Sequence, residues 1–392
     1  MIRFIYPKIH YGWWIVTITF LSCFIFSGAI YFAFSLFVKP LQAEFGWERS
    51  TIMAGFTFLF LAIGIASPFA GKAVDRYGPK IVMSMGALIA AAGFVSLIAM
   101  DTPLYFYISY ITIGVGGSAM GPISSTAAVS EWFEEKRGLA IGIMSMGIGL
   151  GGLVIAPFVG GVVIPYFGWK VAYIILGSLM GIMVPLAMLV IKTRPRDEPS
   201  IQIEKQNDER SIPTDPLVSA SRDLTLRDAL FSPAFWIIAG SFALSQFGIT
   251  GTLQSQVIGL VSAFSKLFFG WLCDQVNPKY AFSVGVLFMA GGTFILLNIG
   301  PRSPLSVFWF YALIMGFSAG SWLPTMSMLV STNFGLMSYG TIFGAVSLVF
   351  NIGGSAGPFW AGYVFDATRS YQWAFVTFII LYFLAIPAML FV

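Results

Sequence analysis

Long apolar runs separated by short polar segments dominate the pattern along the chain. Many of the runs continue for about 18 residues or more, the length that a helix needs to cross a bilayer. Strands of a membrane barrel would alternate apolar and polar positions instead. We therefore predict an all-α polytopic membrane protein with twelve transmembrane helices. The predicted spans are 13–38, 51–70, 81–100, 105–130, 138–162, 170–191, 232–251, 256–273, 280–299, 305–329, 339–364 and 373–392.

One long polar segment divides these spans into six and six. Its mixed charges and prolines indicate a solvated linker, with a recognition element as the alternative. We predict three units: an N-terminal six-helix bundle over 1–192, a cytoplasmic linker over 193–228, and a C-terminal six-helix bundle over 229–392.

Composition and charge agree with a chain whose solvent is lipid. Hydrophobic residues make up 57% and charged residues 10%, whereas a soluble domain has about 25% charged residues. Fifteen Lys and Arg residues lie in segments on the side of the N-terminus and five lie on the other side; Lys266 completes the total of 21. Because positive loops stay inside, we predict a multi-pass protein of the inner (cytoplasmic) membrane with both termini cytoplasmic.

Two sequence repeats relate the halves. Such repeats are typical of carriers that rock two bundles about a central site. Glycine-rich membrane helices also resemble one another by chance, but the shared register favours a true repeat. Gly71, Asp75, Pro79 and Lys80 recur 199 residues later as Gly270, Asp274, Pro278 and Lys279. Gly138, Gly142, Gly151 and Gly152 recur 202 residues later as Gly340, Gly344, Gly353 and Gly354.

The first repeat, GKAVDRYGPK from Gly71, resembles the loop motif of the major facilitator superfamily. Its degenerate second copy has Gln275 and Asn277 in place of an Arg and a Gly. Glycine lets helices approach closely, and Asp75 can accept bonds from amides at a helix start or pair with a base. We predict a conformational latch, as the resemblance also implies, with positive-inside topology alone as the alternative. The latch candidates are Gly71, Asp75, Arg76, Gly78, Lys80, Arg137, Gly270, Asp274 and Lys279.

Three further stretches narrow the resemblance within that superfamily. YGWW, FVKPLQAEFGW and EWFEEKRGLAIGI begin at Tyr11, Phe37 and Glu131. They resemble the monocarboxylate transporters and the related bacterial oxalate/formate antiporters. The resemblance covers essentially the whole chain, and it implies two six-helix pseudo-repeats and secondary transport of a small carboxylate.

Lys266 is the one charged residue inside an apolar run. It lies about 12 Å from the Asp274 end of its predicted helix and about 15 Å from the other end, which is near mid-membrane. Carriers bind substrate at that depth, and a charge there costs roughly 2.5–3.5 kcal/mol on insertion scales. We predict that Lys266 binds substrate, with a structural lysine bonded to carbonyls as the alternative. The resemblance implies that a basic residue, often Arg, binds the substrate carboxylate at this place.

Other polar and aromatic residues in the spans are weaker candidates. The oxalate/formate relatives have a second cation in the eleventh span, where this chain has Asn351. A single cation favours a monocarboxylate over a dianion. Ser347, four residues earlier, shares the helix face of Asn351. Tyr31, Phe34 and Trp322 are predicted to wall a small pocket, with packing or lipid contact as the alternative. Ser118, Ser124 and Ser125 are predicted to be helix-packing residues, with a place in the cavity as the alternative.

The coupling ion stays open at this stage. The predicted spans contain no acidic residue, so the acid–base partner that the resemblance implies for some proton-coupled members is missing. Proton symport, through protonation of the substrate or of Lys266, and anion exchange are both compatible with the sequence. The outer turn from Gly248 to Gln256 is shorter than the resemblance implies, and Asn333 stands where an acid is common.

Two other functions are weighed beside a monocarboxylate transporter: an exporter of another small, drug-like molecule, and a non-transporting membrane receptor. An enzyme is not expected, because the sequence has no nucleophile–base pair, metal cluster or phosphate-binding loop. We expect no cofactor, no metal, no nucleic-acid partner and no disulfide between Cys23 and Cys273, and we expect a monomer in the lipid bilayer.

Overall fold

The computed structural model describes residues 11–192, 224–249, 256–300 and 303–392. In these ranges the chain is helical and contains no strand. The helices are α1 (Gly12–Phe26), α2 (Val38–Phe45), α3 (Arg49–Tyr77), α4 (Pro79–Ser96), α5 (Pro103–Met120), α6 (Pro122–Ser130), α7 (Arg137–Phe158), α8 (Ile164–Val190), α9 (Leu226–Phe231), α10 (Pro233–Ile249), α11 (Gln256–Gln275), α12 (Pro278–Leu297), α13 (Leu305–Ala319), α14 (Trp322–Phe334), α15 (Tyr339–Thr368) and α16 (Gln372–Leu390).

Except for α9, these helices correspond to the predicted spans or extend them. Two spans are built from two helices that meet at a glycine: α5 and α6 form the fourth span, and α13 and α14 form the tenth. In the first span, a π-helical turn (Ser27–Phe32) and a 3-10 turn (Phe34–Phe37) join α1 to α2. Eight helical stretches within the described ranges are long and apolar enough to cross a membrane.

Some of the sequence-based predictions concern residues that the structure does not describe. Most of the predicted linker, and residues 250–255 of the short turn before α11, lie outside the described ranges. Helix α9 crosses the predicted boundary between linker and C-terminal bundle. It begins at a capping box in which Thr225 and Asp228 bond each other reciprocally. The residue before Thr225, Leu224, donates its amide to the Phe334 carbonyl at 3.1 Å.

Large apolar side chains cover the outside of the helix bundle. Phe69 is 71% exposed, Leu189 76% and Leu305 70%. Surfaces of that kind are stable against lipid tails rather than water. The protein is therefore a multi-pass membrane protein.

The two halves meet along two helix pairs, α3 with α15 and α7 with α11. Glycines line both contacts. A Cβ on Gly71 would overlap the backbone of Gly340, and a Cβ on Gly138 would overlap the carbonyl of Gly270. The repeated glycines are thus needed for the helix backbones to approach this closely.

Both repeated loops lie at one end of the bundle, which we call the motif end and define by Asp75 and Asp274. In the first loop, Gly78 has φ +81° and separates α3 from α4. The second loop has Asn277 at that position, and its side-chain oxygen accepts the Lys279 amide at 3.1 Å to cap α12. The degenerate motif therefore makes the same helix junction by a different local mechanism.

Candidate functional site

The carboxylate of Asp75 joins the two halves at the motif end. It accepts the backbone amides of Gly340 at 2.8 Å and Thr341 at 2.7 Å. The Thr341 hydroxyl donates a third bond to it at 2.5 Å. These amides lie in the first turn of α15, where they have no partner within their own helix. An acid of the N-terminal half therefore caps a helix of the C-terminal half.

Asp274 makes the same contact in the opposite direction. Its carboxylate accepts the amides of Gly138 at 2.7 Å and Leu139 at 2.8 Å, in the first turn of α7. The two caps are related by the sequence repeat, because Gly138 and Gly340 are equivalent positions. Negative charge at a helix N-terminus is also favoured by the helix dipole.

The basic members of the predicted latch lie around these caps, and Arg137 is within electrostatic range of Asp274 and Tyr339 in the C-terminal half. Arg76 is exposed and stands 5.2 Å from the centroid of the Tyr77 ring. Arg137 donates through Nε to the Phe133 carbonyl at 3.0 Å. Lys80 lies in the first turn of α4, and the Lys279 ammonium stands 5.6 Å from the ring of the adjacent tyrosine.

Sequence reasoning missed the donor side of the caps, namely Thr341 and Leu139 together with their glycine neighbours. A signal was present, since the second repeat begins at these helix starts. Nothing in the sequence shows that the two repeats bond each other across the halves. That pairing follows from the packing of α3 on α15 and of α7 on α11.

Lys266 lies on α11 where several helices meet, and it is 1% exposed. Its carbonyl oxygen is 2.6 Å from the position that a Cβ on Gly142 of α7 would take. Its amide nitrogen is 2.9 Å from the corresponding position on Gly320, between α13 and α14. The backbone of Lys266 is therefore held between a helix of the N-terminal half and the bend of the tenth span.

The ammonium of Lys266 is bonded only to neutral groups in the described part of the chain. Nζ donates to the Ser262 hydroxyl at 2.5 Å and approaches the Ser262 carbonyl at 3.4 Å. Cys23, on α1 of the N-terminal half, lies within electrostatic range of this ammonium. A buried cation with no carboxylate partner is a strong attractor for an anion.

The structure does not join Asn351 to Lys266 by a hydrogen bond. The Asn351 amide is half-buried and donates to the Ser347 carbonyl at 2.7 Å, one turn earlier on α15. Its Cβ is 3.2 Å from the position of a Cβ on Gly64 of α3. Trp322, at the start of α14, stacks on Phe350 with ring centroids 5.1 Å apart. These residues lie where α14, α15 and α3 approach one another.

Tyr31 and Phe34 make contacts within the N-terminal half. Tyr31 stacks on Phe60 at 5.1 Å. Phe34 is 3% exposed and packs against Phe56 at 4.8 Å and Tyr110 at 5.0 Å. Both sets of contacts favour the packing alternative for these two side chains.

Comparison with known proteins extends over almost the whole chain. The model of the Major Facilitator Superfamily matches residues 19–257 and 225–392. The oxalate:formate antiporter of Oxalobacter formigenes is 27% identical over 60% of this chain and 52% of its own length, so the match spans about half of that protein. Monocarboxylate transporter 12 of Mus musculus is 21% identical over 94% of this chain and 83% of its own length.

Two solved structures share the fold at low sequence identity. The human organic anion transporter MFSD10 (TETRAN) superimposes with a TM-score of 0.72 at 16% identity, covering 96% of this chain and 99% of that one. The proton:xylose symporter XylE gives 0.73 at 14% identity, covering 97% and 95%. The predicted architecture of twelve transmembrane helices in two six-helix halves is confirmed.

Proposed function

Because the chain belongs to the Major Facilitator Superfamily, whose members are transporters and not enzymes, we propose that it is a secondary transporter of a small monocarboxylate anion. Lys266 is the counter-ion of the substrate in this proposal. The observation that carries it is a fully buried ammonium, bonded only to neutral groups, at the contact between the halves.

The charge of Lys266 sets the charge of the substrate. Burying a lone cation costs free energy that an anion of opposite charge recovers. The position at which the oxalate/formate relatives have a second cation is the neutral Asn351, whose amide is bonded to its own helix. One carboxylate therefore balances the site, and a second would be left without a counter-charge. The antiporter and the monocarboxylate transporter among the relatives support a small carboxylate.

Alternating access requires that the caps at the motif end break and re-form. We assign the motif end to the cytoplasmic face, because most Lys and Arg residues lie on that side of the sequence pattern. The Asp75 and Asp274 caps hold this end closed in the described conformation. Opening it separates α3 from α15 and α7 from α11, and this exposes the Lys266 region from the cytoplasm. The proposal needs only a monomer in a bilayer.

Uptake into proteoliposomes tests the proposal. A panel of mono- and dicarboxylates is measured with and without a pH gradient, and with and without internal anion, which separates proton symport from exchange. Lys266→Gln should abolish uptake and Lys266→Arg should retain part of it. Lys39→Gln, which removes an exposed charge, is the matched control and should transport normally.

Three results would contradict the proposal. Normal monocarboxylate uptake by Lys266→Gln would show that the buried cation is structural. Uptake of neutral or cationic compounds but of no carboxylate, or binding without uptake, would indicate the drug-exporter and receptor alternatives respectively.

A further inference from the structure

We infer that Cys23 and Ser125 form the side of the carboxylate site that faces Lys266, with the Ser125 hydroxyl as its hydrogen-bond donor from the N-terminal half. This inference rests on the proposed function. It divides the site between the halves: the C-terminal half supplies the charge and the N-terminal half supplies neutral donors.

A buried carboxylate needs more donors than Lys266 offers. A carboxylate has about four lone-pair positions, and leaving them unpaired in a dry site costs free energy. The Ser262 hydroxyl accepts a bond from the Lys266 ammonium, so its own hydrogen can point elsewhere. Both groups lie on α11, and a site between two moving halves also needs a donor on the opposite half.

Cys23 is the titratable side chain of the N-terminal half that lies within electrostatic range of Lys266. The side chain is fully buried on α1, and its Sγ contacts the Met144 Sδ at 3.4 Å. Met144 is two residues from Gly142, whose α-carbon faces the Lys266 carbonyl. Helix α7 therefore brings Cys23 and Lys266 to the same level of the bundle.

Ser125 lies beside the Cys23 thiol and differs from its neighbours on α6. The Ser124 hydroxyl donates to the Ala119 carbonyl, and the Thr126 hydroxyl donates to the Pro122 carbonyl at 2.7 Å. The Ser125 hydroxyl is fully buried, makes no hydrogen bond to a nitrogen or oxygen atom of the described residues, and has the Cys23 thiol as its polar neighbour.

A thiol is only a weak hydrogen-bonding group, so a buried hydroxyl beside it keeps capacity that a ligand or water can use. The prediction from sequence, that Ser125 serves helix packing, does not account for the unused hydroxyl. A carboxylate bound to Lys266 would use it.

The chain contains only two cysteines, which makes a protection experiment possible. Cys273→Ser leaves Cys23 as the one thiol. Cys23→Ser leaves Cys273, which is buried on α11 two turns beyond Lys266. Each protein is treated with N-ethylmaleimide in proteoliposomes, with and without the monocarboxylate that is taken up best. The anion should slow alkylation of Cys23 at least fivefold, leave that of Cys273 unchanged, and lose its effect on Cys23 in the Lys266→Gln background.

Kinetics supply the second readout. Ser125→Ala should raise KM about five- to tenfold with little change in kcat, as expected for one neutral hydrogen bond at a factor of ten per 1.4 kcal/mol. Ser124→Ala removes an equally buried hydroxyl that donates to the Ala119 carbonyl at the end of α5, and it should leave KM unchanged.

The possible failures are distinguishable. If uptake depends on Lys266 but the anion does not protect Cys23, the inference is wrong and the proposed function stands. The same conclusion follows if Cys23 is not alkylated at all in transporting protein. Equal KM values for Ser125→Ala and Ser124→Ala would also overturn it. If no carboxylate uptake depends on Lys266, both the proposed function and the inference are wrong.

Discussion

The caps at the motif end lead to a quantitative prediction about conformational equilibrium. Asp75 accepts three hydrogen bonds from the first turn of α15, whereas Asp274 accepts two from the first turn of α7. Replacing an N-cap Asp by Ala costs about 0.5–2 kcal/mol, and the lost helix-dipole interaction adds about 0.3–1 kcal/mol. Both carboxylates are half-buried, so solvent screens them only in part.

We therefore expect Asp75→Ala to destabilise the closed motif end by about 2 kcal/mol and Asp274→Ala by about 1 kcal/mol. At 1.4 kcal/mol per factor of ten, the ratio of open to closed protein rises roughly 30-fold for the first substitution and roughly fivefold for the second. The larger effect belongs to Asp75 because its partner Thr341 contributes a hydroxyl as well as an amide.

Spin-label distances measure this ratio directly. Labels at Glu135 and Met337, which are exposed on opposite halves at the motif end, are introduced into protein whose two native cysteines have been replaced. The fraction of long distances should increase in the order wild type, Asp274→Ala, Asp75→Ala. Asp101→Ala removes an exposed carboxylate elsewhere and is the control. If Asp75→Ala gives the same distance distribution as Asp101→Ala, the caps do not hold the halves together.

Two further predictions concern the packing of the halves and the junction with the linker. Gly71→Ala should lower the free energy of unfolding of the closed form by about 1–3 kcal/mol in a thermal melting assay, because its Cβ would overlap the Gly340 backbone. Gly181→Ala is the control and should have no such cost, because a Cβ there meets nothing within 4 Å. The Thr225 hydroxyl donates to the Asp228 carboxylate, and the Thr225 amide donates to it as well; both bonds lower the pKa of that carboxyl, the hydroxyl bond more than the amide bond. The cap of α9 is therefore present at neutral pH and is lost as pH falls through the depressed pKa. A carboxyl-carbon NMR titration should show this low pKa returning toward the ordinary value in Thr225→Ala, and an unchanged pKa in that variant would contradict the capping role.

Much of the fold could be predicted from sequence because its signals are local. Hydropathy located the spans, since each apolar run must match the bilayer thickness by itself. The repeats indicated equivalent halves, and the isolated charge of Lys266 singled out one position that the structure shows to be buried. Each of these signals is contained within one segment, so no knowledge of the packing was required.

The site itself could be predicted only in part, because its contacts join distant segments. The sequence showed that Asp75 could accept amides at a helix start, but the amides it uses are 265 and 266 positions away. Three serines in one stretch looked equivalent, and only the direction of each hydroxyl distinguishes Ser125 from the others. Phe34 looked like a pocket aromatic because hydropathy does not separate a side chain that faces a substrate from one that faces its own bundle.

The repeat duplicates the backbone contact at Lys266 but not its charge. Gly142 of α7 packs on the Lys266 carbonyl, and Gly344 of α15 packs in the same way on the Ser67 carbonyl of α3. Ser67 precedes Lys266 by the 199 residues of the first repeat, and its hydroxyl bonds the Ile63 carbonyl one turn earlier at 2.7 Å. The backbone contacts are therefore duplicated, as two bundles that close against each other require. The side chains at the equivalent positions are not, since α11 has a buried lysine where α3 has a hydroxyl bonded to its own helix. One cation is therefore left for the substrate to balance.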